Sequence, residues 1–216
     1  MAMTIIISID GVEFTGKTAA SKALVAELSA MLVHALPPPM ELDMRSPPDI
    51  AASFDYYLSE NLAIGRQLAS FTKEMPDLAF VIDRLYSTEA THLALDRLRC
   101  GGKNEDSMRR KLAAAAPSMP QPNLAIFLYV TAAERRVRAQ EHLATHQYLQ
   151  SKDRYFDEPL AMRTQDNLRE IAKRLQRNGK TRVAEFDSLP ASQLSEAVIA
   201  VARSRPSAQR AAVRVR

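Results

Sequence analysis

The stretch "IDGVEFTGKTAAS", residues 9–21, constrains the fold of this chain more than any other segment. It contains the pattern Gly11-x4-Gly16-Lys17-Thr18 and follows the continuous β-branched run "TIIISI" (4–9), which is typical of a strand buried on both faces. Apolar residues then recur at helical spacing, which predicts an amphipathic helix from about residue 17 to 31. A strand, a turn containing two glycines and a helix, in this order, predict a phosphate-binding loop.

The residue types in this loop suit the phosphate tail of ATP. Glycines let backbone N–H groups converge on an anion at the positive end of a helix. Lys17 supplies a point charge to the β- and γ-phosphates, and the Thr18 hydroxyl is a predicted ligand of Mg²⁺. The alternative is a strand–helix turn that holds no ligand. We expect ATP to bind the loop residues Gly11, Val12, Glu13, Phe14, Thr15, Gly16, Lys17, Thr18 and Ala19.

The rest of the chain alternates predicted strands and helices. Apolar runs predict strands at 31–36, 78–83, 123–130 and 181–186. Helical patterns cover about 49–73, 87–99, 132–143, 160–175 and 191–204, and "GGKNEDS" (101–107) predicts a loop. This alternation predicts a three-layer α/β fold, in which a parallel sheet of about five strands has helices on both faces. We expect one domain over residues 1–202.

Charge and cysteine content exclude several classes of protein. The single cysteine, Cys100, excludes an internal disulfide and a multi-cysteine metal site. Of the 29 lysines and arginines, five lie in residues 203–216, where there is no acid, so 24 basic residues face 25 acidic residues elsewhere. We therefore expect a basic, flexible tail and no nucleic-acid binding. No run reaches the roughly 18–20 apolar residues of a membrane span, and no secretory signal is recognisable, so we expect a cytoplasmic protein that does not bind membranes.

An aspartate and an arginine close one predicted strand. Phosphoryl transfer requires that donor and acceptor be positioned and that the charge of the transferred group be neutralised. Asp83 ends the strand at 78–83, and Arg84 follows it. Ligands of open α/β folds bind at the carboxyl ends of the strands. We therefore expect Asp83 to hold Mg²⁺ or orient the acceptor, and Arg84 to bind an acceptor phosphate; the alternative is a structural ion pair.

Two further arginines lie on a predicted helix. Arg135 and Arg138 are three residues apart and share one helix face. They are candidates for cations that close over the γ-phosphate, and the alternative is a solvated helix face. The predicted catalytic residues are thus Lys17, Asp83, Arg84, Arg135 and Arg138, together with Glu13, whose role follows below.

The helix at 49–73 carries candidates for an acceptor pocket. Tyr57, with its neighbours Phe54 and Tyr56, is a candidate wall of a base pocket, because aromatic faces stack on bases. Aromatic residues on a long helix also form cores, and this is the alternative. Arg66 is a further candidate contact to the base or phosphate of an acceptor.

Four segments resemble the motifs of thymidylate kinases and deoxynucleoside kinases, in order, over about residues 4–200. "IDGVEFTGKTAA" resembles "EGIDGSGKTT", with Asp10 in place of the glutamate and Glu13 in place of the loop aspartate. "AFVIDRLYSTEATH" resembles a strand-end Asp-Arg followed by a Ser/Thr-rich turn and a helix; it includes Thr88 and places His92 at the glutamine or histidine of that motif. "PNLAIFLYVTAAERRVR" and "EFDSLPASQLSEAV" resemble the third motif and the last strand with its following loop.

The resemblance implies a P-loop kinase fold with a lid at about 139–158. It implies ATP- and Mg²⁺-dependent transfer of the γ-phosphoryl group to a (deoxy)nucleoside monophosphate. It also implies that Glu13 faces the acceptor sugar and that Asp10, Thr88 and His92 lie on the acceptor side. Members of the family often pair, so we expect a homodimer.

The departures from these motifs concern the acceptor side. Leu85 replaces the tyrosine after the Asp-Arg pair, and the turn that follows is one residue shorter. "LPPPMELDMR" stands where "REPGG" is expected, with Glu41 and Arg45 as candidate substitutes, and Arg154 is a candidate lid residue.

These departures leave alternative functions open. One is a kinase of a nucleoside or another small hydroxyl compound, which requires a general base such as Glu13, Asp10 or Glu41. Another is a catalytically weak nucleotide-binding protein that serves as a partner subunit.

Overall fold

The computed structural model describes residues 4–36, 42–145, 157–204 and 213–215. The strands are β1 (Ile5–Gly11), β2 (Met31–His34), β3 (Ala79–Asp83), β4 (Leu124–Tyr129), β5 (Arg182–Asp187) and β6 (Val213–Val215). The helices are α1 (Lys17–Leu28), α2 (Pro47–Glu74), α3 (Ser87–Cys100), α4 (Glu105–Ala115), α5 (Ala132–Thr145), α6 (Glu158–Asn178) and α7 (Ala191–Arg203).

The strands form one parallel sheet in the order β2-β3-β1-β4-β5-β6. β1 lies between β3 and β4, with Ile9 beside Asp83 on one side and Ile126 on the other. Because all strands run in the same direction, their carboxyl ends share one edge, where ligands of such folds bind. β2, the strand that follows β1 along the chain, pairs with β3 and does not lie beside β1. Such a change in strand order opens a crevice for ligands at this edge.

Apolar side chains cover both faces of the sheet. One cluster joins Leu24 of α1 and Val198 of α7 to Ile7 and Ile126. Another joins Leu68 of α2 and Leu168 of α6, with α3, to the opposite face. The prediction of a three-layer fold with a parallel sheet is thus confirmed, and the three-residue β6 is added to the expected strands.

Two element boundaries were predicted wrongly. The first helix ends at Leu28 rather than residue 31, because Ser29 adopts a left-handed conformation (φ 48°) and the chain then enters β2 at Met31. The predicted loop at 101–107 is a loop only to residue 104, because α4 begins at Glu105. Met108 and Leu112 of α4 pack with Ile50 of α2 in a third apolar cluster.

Several sequence-based expectations fall partly outside the described residues. The predicted lid at 139–158 overlaps the ends of α5 and α6, but residues 146–156, including Arg154, are not described, and neither is Glu41. Val213–Val215 of the predicted tail pairs in parallel with β5. Within the described ranges, no helix combines the length and apolar character needed to cross a membrane.

Candidate functional site

The predicted phosphate loop connects β1 to α1 and requires both of its glycines. Gly16 has a left-handed backbone (φ 95°), and a Cβ placed on it would lie 2.6 Å from the Leu194 side chain. A Cβ on Gly11 would lie 2.7 Å from the carbonyl oxygen of Leu128. Real Cβ atoms essentially never come this close to another atom, so a larger residue at Gly11 would displace the backbone. A larger residue at Gly16 would also be strained by the left-handed backbone.

Lys17 is folded over this loop at the start of α1. It is buried, and its Nζ donates a hydrogen bond of 2.6 Å to the carbonyl oxygen of Val12. The hydroxyl of Thr15 donates to the same oxygen at 2.8 Å. Burial, with a contribution from the charge of Arg84, lowers the pKa of Lys17 to about 8 against the opposing effect of nearby carboxylates. The ammonium group thus lies inside the loop, where a bound phosphate would stabilise its charged form.

Asp10 connects β1 to the beginning of α3. Its Oδ1 accepts hydrogen bonds from the backbone N–H groups of Tyr86 and Ser87, both at 2.7 Å, and from the Ser87 hydroxyl at 3.0 Å. The backbone N–H of Gly11 in turn donates to Ser87 Oγ at 3.0 Å. Burial outweighs these bonds and raises the pKa of Asp10 to about 6. Asp10 is fully buried, and the structure does not bring it to the cavity that opens beside the loop.

Asp83 and Arg84 lie at the carboxyl end of β3, beside the phosphate loop. The N–H of Arg84 donates to the carbonyl oxygen of Ile9 at 3.0 Å, which fixes the turn to β1. Oδ1 of Asp83 is buried and has no hydrogen-bond partner among the described residues. Nη1 of Arg84 lies 3.4 Å from Oε1 of Glu13, so the ion pair of this turn joins Arg84 to the phosphate loop and not to Asp83.

Glu13 is surrounded by positive charge. Burial by itself would raise the pKa of its carboxyl group, but the charges of Lys17, Arg84 and Arg135 together hold that pKa below its usual range. Glu13 is therefore ionised at neutral pH. It balances the cations at the mouth of the loop.

Three non-glycine residues at this edge of the sheet have left-handed backbone conformations. Phe14 (φ 66°) follows β1, Arg84 (φ 71°) follows β3, and Ser188 (φ 52°) follows β5. Such conformations cost free energy for residues with a Cβ. Strained backbone of this kind is found at functional sites when surrounding contacts hold it.

The two predicted arginines of α5 both contact the phosphate loop. The Arg135 guanidinium is buried, and its Cζ lies 5.9 Å from the centre of the Phe14 ring. Arg138 donates to the carbonyl oxygen of Phe14 at 3.2 Å and to that of Leu189 at 3.0 Å. The shared helix face therefore points at the loop and not into solvent.

A cavity of about 580 Å³ opens beside the phosphate loop, between the loop, α2, α3 and the start of α6. Its volume lies within the range of small-molecule sites. Of the predicted site residues, those that line it are Gly11, Val12, Glu13, Tyr57, Asp83, Arg84, Thr88, His92 and Arg135.

His92 forms part of the cavity wall in a fixed orientation. Its Nδ1 lies 2.8 Å from the carbonyl oxygen of Thr88, and its Nε2 lies 2.9 Å from Ser53 Oγ. Because a carbonyl oxygen only accepts, Nδ1 carries the proton and Nε2 accepts from the Ser53 hydroxyl. Burial lowers the pKa of His92, partly opposed by the bond to Thr88, so the ring is neutral. The Tyr57 ring lies 5.7 Å from it, and together they provide an aromatic wall.

Three residues predicted on or near α2 do not line the cavity. Arg66 is exposed and lies nine residues after Tyr57, which is about two and a half helical turns and hence the opposite face. Phe54 is buried in the apolar cluster with α3 and α4, as the core alternative expected. Arg45 is exposed and also lies outside the cavity.

Sequence reasoning missed the far wall of the cavity. Arg99 of α3 donates to the carbonyl oxygen of Met44 at 3.1 Å and pairs with Asp157 at 2.6 Å. Asp157 also accepts from the N–H of Leu160 and caps α6. These residues come from three separate segments with no shared motif. A possible signal in the sequence was that Asp157 precedes Glu-Pro, a common start for a helix.

The donor side offers oxygen ligands for Mg²⁺. Thr18 is exposed in the first turn of α1, and Asp83 has an unpartnered buried oxygen. Mg²⁺ prefers such oxygen ligands and takes most of its shell from substrate phosphates and water. No group of three or more His, Cys, Asp or Glu residues within the described ranges forms a dedicated metal site. The hydroxyl of Thr18 and the carboxylate of Asp83 are therefore oxygen groups of a kind that can bind a magnesium ion.

The chain has the three-layer α/β fold of the P-loop kinases. A deoxyadenosine kinase from M. mycoides with bound dATP is similar over 93% of this chain and 100% of its own, with a TM-score of 0.64 and 13% identity. The same enzyme with bound dCTP gives a TM-score of 0.54 at 12% identity, over 92% of this chain and 98% of its own. A thymidylate kinase from Ehrlichia chaffeensis gives 0.61 at 14% identity, over 94% and 99% of the two chains.

These similarities confirm the resemblance seen in the motifs at the level of the fold. No protein-family model matches the chain, and no curated protein matches it in sequence. The functional assignment therefore depends on the site itself.

Proposed function

We propose that this protein is an ATP-dependent kinase that transfers the γ-phosphoryl group to a (deoxy)nucleoside monophosphate. The observation that carries the proposal is the shared wall between the phosphate loop and the cavity, formed by Gly11, Val12 and Glu13. A triphosphate held by the loop and an acceptor held in the cavity would meet at this wall. The similar folds of a deoxyadenosine kinase and a thymidylate kinase support the same class of reaction.

On the donor side, the loop N–H groups and Lys17 would hold the β- and γ-phosphates. Thr18 and Asp83 would hold Mg²⁺, which neutralises phosphate charge when it is bound. An acceptor oxygen would attack the γ-phosphorus, the bond to the β-phosphate oxygen would break, and ADP would leave. The work of the protein is to align the two oxygens and to stabilise the charge between them.

The cations of the cavity favour a phosphorylated acceptor. Arg84, Arg99 and Arg135 all line it, and guanidinium groups bind phosphate oxygens through paired hydrogen bonds. Arg84 is about half-exposed and only 3.4 Å from Glu13, an ion pair that an acceptor phosphate could replace at small cost. A phosphate acceptor is already ionised and requires no base.

A nucleoside acceptor is the second candidate, and Asp83 is the observation that favours it. Its unpartnered Oδ1 could accept the proton of a sugar hydroxyl. Glu13 is less suited to that role because surrounding cations lower its pKa.

The proposal is tested by measuring ADP release with Mg²⁺, ATP and a panel of nucleosides and nucleoside monophosphates. We expect turnover with at least one monophosphate and its loss in Lys17→Ala. Turnover with nucleosides alone would select the second candidate. Nucleotide binding without any turnover would indicate a binding partner, and equal turnover by Lys17→Ala would reject both kinase assignments. Light scattering of the same preparation tests the expected homodimer.

Arg84→Ala tests the acceptor side separately. We expect a KM for the acceptor about 10- to 100-fold higher, because a charge-assisted hydrogen bond to phosphate is lost, with little change in the KM for ATP. Arg110→Ala, an exposed residue of α4, is the matched control. A defect confined to ATP would contradict the role given to Arg84.

A further inference from the structure

Phe14 occupies the phosphate loop in a conformation that favours glycine. Its φ is 66°, and the motif "EGIDGSGKTT" that the loop resembles has glycine at the corresponding position. The side chain is only half-buried and belongs to none of the apolar clusters found in the described part of the chain. Filling the core therefore does not explain a phenylalanine at a position that strains the backbone.

The contacts of Phe14 are instead with α5. Its ring lies 5.9 Å from Cζ of Arg135, a cation–π distance. The His142 ring meets the Phe14 ring edge-on, with 5.7 Å between the ring centres and 61° between the ring planes. The carbonyl oxygen of Phe14 accepts a hydrogen bond from Arg138. Three side chains from successive turns of α5 thus converge on one loop residue.

We propose that the Phe14 ring is a positioning residue that holds the Arg135 guanidinium beside the phosphate loop before nucleotide binds. This inference rests on the proposed kinase function. Arg135 is buried, and among the carboxylates whose charge raises its pKa, Glu13 has the largest effect. The ring provides a rigid, uncharged face for the guanidinium, so it can restrain the group without neutralising it as an additional carboxylate would.

The consequence is a preorganised cation. An arginine that must move into place on binding loses rotamer freedom at that step, whereas one already held loses less. Arg138 bonds the backbone of Phe14 and not its ring, so removal of the ring would leave α5 tethered to the loop and would take away the ring contact of Arg135. The expected defect is therefore in the transfer step and in the affinity for the γ-phosphate.

Phe14→Gly is the informative variant because glycine relieves the strained backbone. We expect an unchanged or higher Tm together with a kcat about tenfold lower. Phe14→Tyr keeps an aromatic face and is expected to restore most of the kcat. Val137→Ala, an exposed position of α5, is the matched control. A kcat for Phe14→Gly equal to that of the parent would overturn the proposal.

A double-mutant cycle separates positioning from a general effect on folding. If the ring acts through Arg135, then Arg135→Ala costs much less in the Phe14→Gly background than in the parent. Additive losses would overturn the proposal. The same cycle is measured as the affinity for a non-hydrolysable ATP analogue with Mg²⁺, by calorimetry. This binding measurement tests the role of Phe14 even if no acceptor supports turnover. In that case the kinase assignment would fail while the role of Phe14 could still be judged.

Discussion

At the scale of single residues, Asp10 holds together two parts of the site that are far apart in sequence. One carboxylate oxygen receives three hydrogen bonds from residues 86 and 87. The other oxygen is buried without a hydrogen-bond partner among the described residues. Asp10 therefore fixes the turn that carries Asp83 and Arg84, at the cost of a buried charge.

The burial of the Asp10 carboxylate predicts that this residue makes the folded protein less stable as the pH rises. The pKa of Asp10 is raised by burial to about 6 in the folded protein, from 3.8 in an exposed aspartate. The folded state thus binds the proton more tightly, so stability from this group is present below about pH 4 and is lost as the pH rises through 6. The loss is about 3 kcal/mol for a shift of about two pKa units.

Asp10→Asn removes the titration and should flatten this part of the curve. The measurement is urea unfolding of both proteins between pH 4 and 7. Asp77→Asn, at an exposed position, should leave the curve unchanged. Parallel curves for the parent and Asp10→Asn would show that the folded-state pKa of Asp10 is not raised.

The residues that sequence reasoning found are those defined by local patterns. Gly11, Gly16 and Lys17 are recognisable because a phosphate loop is continuous in the chain. Arg99 and Asp157 were not recognisable, because their pairing depends on how α3 and α6 pack. The position of Arg66 outside the cavity lining was not predictable, because a residue type on a helix does not indicate which face of the helix meets the cavity.

At the scale of elements, Arg99 joins three segments that enclose the cavity beside the phosphate loop, where we propose that the acceptor binds. From the last turn of α3 it reaches Met44, just before α2, and Asp157, the cap of α6. Its side chain is 29% exposed, so the pair is partly shielded from solvent. Removal of Arg99 would allow the far wall to separate while the phosphate loop stays intact.

Arg99→Ala should therefore raise the KM for the acceptor about tenfold and leave the KM for ATP unchanged. The control is Arg97→Ala on the same helix, whose side chain is 53% exposed and pairs with Glu105 outside the cavity. Steady-state kinetics with each substrate varied in turn provide the measurement. Equal effects on both substrates would show that Arg99 supports the fold generally.

The elements themselves were predictable to the extent that their apolar patterns were uninterrupted. β1, β4 and α6 carry continuous or periodic apolar residues, and they form where expected. α4 was not predicted, because Gly101, Gly102 and Asn104 are residue types typical of loops and led to a loop prediction for the whole segment 101–107. Met108, Leu112 and Ala115 lie at helical spacing and were the signal that could have revealed it.

At the scale of the whole molecule, parallel strand order brings the site together. β3 and β4 flank β1, so the turn after β3 and α5 after β4 both reach the phosphate loop. The short β6 pairs with β5 on the far side of the sheet, away from the acceptor cavity. The arginine-rich C-terminal segment thus contributes an edge strand and no described residue of the cavity.

A chain that ends at Ser204 should retain the kcat of the parent within about twofold. Its Tm should fall by a few degrees, because β5 loses its hydrogen-bonded neighbour. Calorimetry and the ADP-release assay provide the two measurements. A large loss of turnover would place part of the segment 205–216 in the site.

The left-handed residues at the strand ends have a consequence for anyone who engineers this protein. Selection for heat tolerance alone should favour glycine at positions 14, 84 and 188, because glycine adopts their backbone angles without penalty. At Phe14 and Arg84 that gain would remove side chains to which we assign roles in phosphoryl transfer, so we expect the more heat-stable variants to be slower catalysts. Ser29, the fourth such residue among those described, ends α1 and lies at the opposite edge of the sheet. Glycine at position 29 should provide tolerance to heat without this compromise.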